Sequence, residues 1–481
     1  MKSANIETLM SHLYYLELEE KKMVEAAYNF AKFLHDGQYR KSGEEYISHP
    51  LTVANILALM HADYETVCAG LLHDTLEDTN TTKEEISELF GNSVANLVDG
   101  VTKMELVNFS SKQAQNYANI RKILMSIKKD IRTFIIKLAD SLHNMSTLEY
   151  MKESKQKENA RECRERYIPI AYHIGAYRIK KELEDLTMKY LEPEEYKEIT
   201  STMQEVEEEN KELLLSMIDN INKELNFGNI KNTIEFRMKN AYGIYERLKA
   251  GHSIYDIHDL LVLKVVLENI SDCYSALGLI HSNYPPVNNK FKDYICNPKT
   301  NMYRSIHTTV FSPKGNLVQC QIRTDDMDKV ASFGISAYWY FYNDKNCGHH
   351  MQRDLEGFQF FDTLSEIDAT YQDDCCFVRA VNDELFSDKV YVCTPRGMNI
   401  ELPKGATVVD FAYKIHTDLG NKMIGAYIND VYTTDFSYNL KNKDIVRIKT
   451  SDDAKGPDEG WYPFARTTNA NKKIKEFIKK R

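Results

Sequence analysis

The stretch Leu71-Leu-His-Asp-Thr-Leu-Glu-Asp-Thr79 concentrates side chains that hold metals or move protons. His73 and Asp74 are adjacent, and Glu77 and Asp78 follow four residues after each. On a helix that spacing stacks His73 over Glu77 and Asp74 over Asp78, so all four share one broad face. Three carboxylates with no Lys or Arg nearby repel one another unless a cation gathers them, and a metal ion is the simplest such cation. The competing reading is an acidic, solvated helix surface. Against it, Ala69-Gly-Leu-Leu72 directly upstream is apolar, so the cluster hangs from a segment expected to be buried.

Further ligands are at hand. His49 precedes the cluster, and Lys137-Leu-Ala-Asp140-Ser-Leu-His143-Asn144 follows it. His49, His73, Asp74 and Asp140 together give two imidazoles and two carboxylates, a mixed set suited to Mn²⁺, Fe²⁺ or Zn²⁺ with coordination positions to spare. A metal so held lowers the pKa of bound water and polarises a phosphoryl oxygen. The order His…His-Asp…Asp resembles that of the HD phosphohydrolases.

The elements that must position these residues read as three folded regions in a chain of 481 residues. Hydrophobic content of 43% and charged content of 27% describe an ordinary globular protein, and the net charge of −10 argues against a generally basic nucleic-acid binder. Residues 1–195 show helical spacing, as in Val24-Ala-Ala-Tyr-Asn-Phe-Ala-Lys-Phe33, and almost no strand-like alternation, so an all-α domain is expected. A charged helical connector spans 196–226. From 227 to 343, β-rich runs such as Leu260–Leu267 and Leu317–Arg323 mix with a helix at Tyr242–Lys249, an α/β pattern. A poorly patterned linker, 344–387, leads to a small β-grasp-like module at 388–450, where a helix is expected from Asp410 to Leu419 with Gly420 as its stop. The tail, 451–481, carries seven Lys or Arg against one acid after Trp461; a polyanion contact or a solvated terminal helix would account for it.

The nine cysteines are scattered without a C-x-x-C pair, which fits reduced thiols in a cytoplasmic protein. Cys347, His349 and His350 lie close together but match no zinc spacing. No apolar run is long enough to span a bilayer, and the N-terminus lacks a signal-peptide core.

Flanking residues narrow the chemistry. His35-Asp-Gly-Gln-Tyr-Arg-Lys-Ser-Gly43, Tyr46-Ile-Ser-His-Pro50, Val98-Asp-Gly-Val-Thr-Lys103 and Lys137-Leu-Ala-Asp-Ser-Leu-His-Asn-Met145, with the opening cluster, resemble the hydrolase domain of RelA/SpoT homologues. Those enzymes remove the 3′-pyrophosphate of ppGpp and pppGpp. The resemblance implies that His49, His73, Asp74 and Asp140 hold Mn²⁺ and that Glu77 and Asp78 position or activate the attacking water. It further implies nucleotide contacts at Arg40, Lys41, Ser42, Asn144 and Thr147. Adjacent Arg40 and Lys41 suit a multiply charged pyrophosphate on chemical grounds as well. Ser141 and Ser146 stand where the family usually has Arg, so altered substrate contacts are expected.

Residues 227–343 resemble the synthetase domain of the same family, which moves pyrophosphate from ATP to GDP or GTP. Arg237-Met-Lys239 through Arg247 matches its ATP-phosphate segment, and Asp259 its magnesium-binding aspartate. Phe291-Lys292-Asp-Tyr294 and Pro298-Lys-Thr-Asn-Met-Tyr-Arg-Ser-Ile-His-Thr308 match its acceptor segment, with Tyr303 expected on guanine and Lys299, Asn301 and His307 near phosphates. In Val318-Gln319-Cys-Gln-Ile-Arg-Thr324, however, Gln319 stands where the family has Glu. An amide cannot take the 3′-OH proton and is a poorer Mg²⁺ ligand, a loss of about 10²- to 10⁴-fold in rate. Lys264, Asp328, Ser332 and Tyr338 replace further family residues. A domain retained for folding, nucleotide binding or regulation is expected, with Mg²⁺ at most a ligand there.

Val390–Gly397, Leu402–Gly420 and Gly425–Asn429 resemble the TGS domain of long family members, where His416 falls at a tRNA-contacting histidine. Zinc-finger and ACT-type modules expected of such members do not occur in these residues, so ribosome docking is not expected, and a packing or regulatory role for TGS is favoured over sensing of uncharged tRNA. The leading reading is a Mn²⁺-dependent alarmone hydrolase with a degenerate synthetase domain. A bifunctional synthetase/hydrolase and a non-catalytic alarmone or tRNA sensor are the alternatives.

Overall fold

The computed structural model describes residues 5–102, 112–299, 301–341 and 359–480. Cys347, His349 and His350 lie outside them, as do Lys103 and Thr300. The chain divides into two compact units, Met1–Thr102 with Asp130–Gln352, and Lys103–Lys129 with Arg353–Arg481. It is multidomain, as expected: a helical region, a mixed α/β region and small sheets.

The described regular elements of the first unit from Ile6 to Phe227 are helices, joined by turns and one isolated bridge, Tyr39 to Glu45. Helix Ser48–Leu59 is buried along most of its length, and Pro50 sits in its first turn, where a missing N–H costs nothing. Helix Tyr64–Leu72 starts at Asp63, whose carboxylate accepts from Thr66 N at 2.8 Å. These two helices touch closely because of Gly70: a Cβ there would lie 2.5 Å from Leu57 Cδ1. Helix Arg132–Ser146 packs beside both and is buried over most of its residues.

Helix Pro193–Phe227 has Pro at its first position and Glu194 and Glu195 in its first turn, both favourable at a helix start. Its stripe of Ile199, Val206, Leu213, Met217, Ile221 and Leu225 covers one face of a five-stranded sheet. The strands are β1 (Asn232–Met238), β2 (Leu261–Leu267), β3 (Lys292–Asp293), β4 (Ile306–Phe311) and β5 (Leu317–Thr324), in the order β1-β2-β5-β4-β3. β2 and β5 are parallel and the other pairs antiparallel. Leu263, Val265, Cys320, Ile322, Ile306 and Val310 form the apolar face. Alternation then turns Glu235, Arg237, Lys264, Gln319, Gln321, Arg323 and His307 to the other.

The second unit contains helix Lys112–Lys129, which packs with helix Asp374–Val381. Arg121 joins them: it binds Asp368 at 2.8 Å and Asp374 at 3.1 Å and lies 4.7 Å from the Phe377 ring centre. The linker expected at 344–387 is therefore helical where described, as Gln359–Thr370 and Asp374–Val381. Its pattern is weak because part of what orders it stands about 250 residues earlier in the chain.

Beyond it come the hairpin β6 (Lys389–Cys393) and β7 (Asn399–Pro403), and a sheet of β8 (Met423–Ile428), β9 (Val431–Thr433) and β10 (Val446–Thr450) in the order β10-β8-β9. The single helix expected from Asp410 to Leu419 is two, Val408–Ile415 and Thr417–Asn421. They part at His416, which is extended (φ −165°, ψ 142°) and accepts from Asp418 N as an N-cap. Gly420 is no stop. It lies inside the second helix, where a Cβ would fall 2.5 Å from the Tyr413 ring. The basic tail is likewise more than a solvated helix, since Thr468–Lys480 buries Ala470 and Ile474 in a cluster with Trp461, Val409 and Met423.

Candidate metal centre and nucleotide sites

The opening cluster does not lie on one continuous helix. Helix Tyr64–Leu72 ends at His73, and Thr75–Asp78 forms a separate single turn. Side chains compete for the carbonyls of the last turn: Thr75 Oγ1 donates to Leu72 O at 2.7 Å and His73 Nδ1 lies 2.9 Å from Gly70 O. The break separates the four residues by environment. His73 is buried and Asp74 partly so, while Glu77 and Asp78 are exposed.

His49, from helix Ser48–Leu59, and Asp140, from helix Arg132–Ser146, complete the inner group. His49 Nε2 lies 3.2 Å from His73 Nε2, 3.2 Å from Asp140 Oδ1 and 3.5 Å from Asp74 Oδ2. His73 Nε2 lies 3.1 Å from Asp74 Oδ1 and 3.8 Å from Asp140 Oδ1. Such separations suit neighbouring ligands of one ion bound at about 2 Å, and His49, His73 and Asp140 can share a divalent metal.

The second nitrogen of each ring is also engaged. His73 Nδ1 faces Gly70 O, and His49 Nδ1 lies 2.6 Å from His143 Nδ1. Burial, first, and then the His49 and Arg40 charges push His143 down to about 3, and its Nδ1 accepts from Arg40 Nη1 at 3.2 Å. With that nitrogen an acceptor, the proton between the rings belongs to His49 Nδ1, which leaves the His49 Nε2 lone pair facing the carboxylates. Burial opposes charging His73, yet Asp74 and Asp140 outweigh it and raise its pKa to about 9. Positive charge is thus favoured between the ring and the acids, the place a metal ion takes. Burial works against the charge of Asp140, but Lys137 Nζ, 2.7 Å from Oδ2, and the two imidazoles hold it well below the usual carboxylate range.

Among the expected nucleotide contacts, Arg40 reaches Asn144 Oδ1 at 3.2 Å, and Asn144 Nδ2 donates to Asp140 Oδ1 at 2.5 Å, which ties the rim to the centre. Lys41 is exposed. Ser42 Oγ donates to Glu44 at 3.4 Å, and Thr147 Oγ1 to His143 O at 3.1 Å.

On the polar face of the five-stranded sheet, Lys239 Nζ lies 2.5 Å from Asp259 Oδ2, while Asp259 Oδ1 is buried without a partner. Arg237 donates to Gln321 Oε1, and Gln321 Nε2 to Gln319 Oε1 at 2.6 Å. Gln319 therefore sits in an amide chain. The nearby acids are engaged as well: Glu235 with Lys264 at 2.7 Å, and Asp328 with Arg323 at 2.7 Å. Tyr303 bonds His307 Nε2 at 2.7 Å, and Lys299 stands 5.0 Å from its ring centre. Lys292, on β3, pairs in register with His307. Arg247 is exposed on helix Ala241–Lys249; burial opposes the charge of Asp259, but Lys239 foremost, then His258 and Arg247, hold its carboxyl below the usual range. Asn301, expected near phosphates, is committed to Tyr172 O and to Tyr177 OH at 2.5 Å. In the second unit, His416 is 65% exposed.

Residues 27–177 match the family model of the HD domain, 236–346 that of a region found in RelA / SpoT proteins, and 390–450 that of the TGS domain. The chain is 42% identical to a guanosine-3′,5′-bis(diphosphate) 3′-pyrophosphohydrolase of Aquifex aeolicus, over 99% of this chain and 67% of that protein. The chain belongs to the RelA/SpoT family. Other members include a GTP pyrophosphokinase of Myxococcus xanthus, 40% identical over 95% of this chain and 60% of that protein. The bifunctional (p)ppGpp synthase/hydrolase SpoT of Escherichia coli is 38% identical over 97% of this chain and 66% of that protein. The chain spans about two thirds of the length of these RelA/SpoT relatives.

Three residues with no role assigned from the sequence stand out in this RelA/SpoT chain. Lys137 and His143 flank Asp140 at helical spacings of three, a signal that follows once Asp140 is placed on a helix. Tyr46 lies three residues before His49, and its hydroxyl is 2.8 Å from Asp74 Oδ2 and 2.6 Å from Asp78 Oδ2. Having one proton, it donates to one carboxylate at a time and links a metal-centre acid to a rim acid. Tyr46→Phe is expected to lower alarmone hydrolysis about 10- to 100-fold, the usual cost of losing a group that orients a ligand. Steady-state assay of the variant checks this, and unchanged turnover would remove Tyr46 from the site.

Proposed function

We propose that the chain is a Mn²⁺-dependent hydrolase that releases pyrophosphate from the 3′ position of ppGpp and pppGpp, leaving GDP or GTP. The observation that carries this reading is the convergence of His49, His73, Asp74 and Asp140 beside the exposed pair Glu77 and Asp78. The two imidazole Nε2 atoms and the two carboxylates would hold the ion, and this mixed nitrogen and oxygen set suits Mn²⁺. Once bound, the metal supplies a lowered pKa for water and polarisation of a phosphoryl oxygen. Glu77 and Asp78 orient the attacking water and accept its proton, with Tyr46 fixing Asp78. The bond between the 3′ oxygen and phosphorus breaks, the 3′ oxygen takes up a proton, and Arg40 and Lys41 offset the charge of the departing pyrophosphate. The names of the Aquifex and Escherichia relatives support the same substrate class.

Synthesis from ATP and GDP is weak or absent, and the sheet domain serves as a nucleotide-binding site with Mg²⁺ as a companion of the phosphates at Asp259. Gln319, held in an amide chain, offers no basic oxygen to a 3′-OH, and neighbouring acids are ion-paired. The second reading, a bifunctional enzyme, is favoured by relatives named GTP pyrophosphokinase. The TGS region is a packing or regulatory module, with uncharged tRNA at His416 the alternative. A cytoplasmic location is consistent with the described helices, none of which is long and apolar enough to cross a membrane.

The test is incubation of the purified chain with ppGpp and Mn²⁺. Pyrophosphate release, lost in Asp74→Ala and Glu77→Ala, is expected; no release would leave the sensor reading. Incubation with ATP, GDP and Mg²⁺ is expected to yield ppGpp at least about 10²-fold more slowly than an intact general base allows. Formation at an ordinary enzymic rate would establish the bifunctional reading instead.

A further inference from the structure

We propose that Lys181, carried by the helical region rather than by the sheet, is a phosphate-binding residue of the sheet's polar site, where it binds the polyphosphate chain of a nucleotide. The proposal rests on the reading of that site as nucleotide-binding. Helix Tyr177–Leu191 reaches residues around the site at two points. At its start, Tyr177 packs against Tyr303 with ring centres 5.7 Å apart and takes a hydrogen bond from Asn301. Two turns later, Asp185 Oδ1 accepts from Asn240 Nδ2 at 3.0 Å and from Tyr242 N at 2.9 Å, and Glu184 accepts from Asn240 at 3.2 Å. Residues 177, 181, 184 and 185 share one helical face, so Lys181 stands between these two anchors.

The charges it meets there are of its own sign. Arg237 and Lys239 from β1, Arg323 from β5 and Lys180 from its own helix all act on Lys181. Of the acids in the neighbourhood, Glu184 is taken by Lys180, Asp259 by Lys239, and Asp328 by Arg323 and Lys264, while Asp185 accepts from Asn240 Nδ2 and Tyr242 N. Among the described residues Lys181 makes no hydrogen bond or ion pair, and Arg237 donates to the neutral Gln321 without forming an ion pair. Burial, followed by the charges of Arg237 and Lys239, pushes Lys181 down to about 7, and burial followed by Lys292 pushes Lys299 to about 8. Lys181 is thus repelled by neighbouring cations without an ion-pair partner of its own among the described residues, and a ligand bearing several negative charges relieves this. A polyphosphate has that charge, and Lys181 with Arg237 beside it would receive it.

The experiment is calorimetric titration of the full chain with Mg²⁺-ATP at pH 8, in two buffers of different ionisation enthalpy, for the parent, Lys181→Met, Lys181→Arg and Arg237→Ala. Lys181→Met is expected to weaken binding about 10- to 100-fold, the size of one charge-assisted hydrogen bond, while raising the thermal midpoint because the parent must give up the Lys181 proton on folding at this pH. Lys181→Arg is expected to keep the affinity but take up fewer protons on binding than the parent, since Arg is already charged at this pH. A Lys181→Met chain that binds ATP as the parent does, with Arg237→Ala impaired, would overturn the role of Lys181 and leave the nucleotide site standing. No ATP binding by the parent would overturn both.

Discussion

Asp140→Asn is expected to remove Mn²⁺ binding and metal-dependent ppGpp hydrolysis, and also to destabilise the first unit by about 3–5 kcal/mol, the usual cost of stripping one partner from a buried ion pair. Both effects start from one carboxylate. Its Oδ1 lies 3.2 Å from His49 Nε2, while its Oδ2 lies 2.7 Å from the buried Lys137 ammonium. An amide retains the volume but leaves Lys137 without a counter-charge. The two consequences separate in the double variant Lys137→Met/Asp140→Asn, which should recover most of the stability and none of the metal binding. Urea unfolding gives the first quantity and Mn²⁺ titration the second. Recovery of metal binding in the double variant would show that Asp140 acts as a counter-ion to Lys137 rather than as a ligand.

The second large effect lies in the other unit and concerns pH. Burial raises the Glu384 carboxyl to about 7 from 4.5, with the Asp410 and Glu366 charges adding and the Thr468 bonds opposing. The folded state therefore holds this proton more tightly than the unfolded chain does. Its contribution to stability is fully present below pH 4.5 and is lost as pH rises through about 7. The interval corresponds to about 3 kcal/mol. Glu384→Gln retains an acceptor for the Thr468 N–H and hydroxyl, so the variant should match the parent near pH 5 and exceed it by up to about 3 kcal/mol at pH 8. Urea midpoints followed by Trp461 fluorescence in a Trp339→Phe background measure this. A parent profile that is flat between pH 5 and 8 would show Glu384 ionised throughout.

Much of the site was legible from residue type and spacing, because acids and imidazoles with no nearby base call for a cation whatever the fold. What spacing could not give was the break at His73-Asp74. A helical reading assumes backbone bonds, whereas here Thr75 Oγ1 and His73 Nδ1 engage carbonyls of the last turn. Tyr46 and His143 escaped for a related reason: their roles depend on segments distant in sequence that meet only in three dimensions. The strand β1 passed unread although Ile234, Phe236 and Met238 alternate with Glu235 and Arg237, the pattern of a strand with one buried face. The helices of the 359–381 stretch were hidden because Arg121, their ordering partner, is remote in sequence. The Gly420 reading followed a sound rule about helix stops, but this glycine makes room for the Tyr413 ring.

Helix Lys112–Lys129 has a bearing on how this chain can be cut. It is flanked in sequence by segments of the first unit, yet it belongs to the second, so the polypeptide crosses between the units at 102/103, 129/130 and 352/353. No single scission separates them. A shortened protein ending near residue 352 would keep this helix and lose the partner carboxylates of Arg121 and the ring of Phe377. To obtain the metal centre alone, the interior segment must be excised or replaced by a short bridge as well as the C-terminal portion removed. The usual practice of trimming multidomain chains from one end would instead leave an orphaned amphipathic helix, and with it a reason to aggregate that has nothing to do with the catalytic domain.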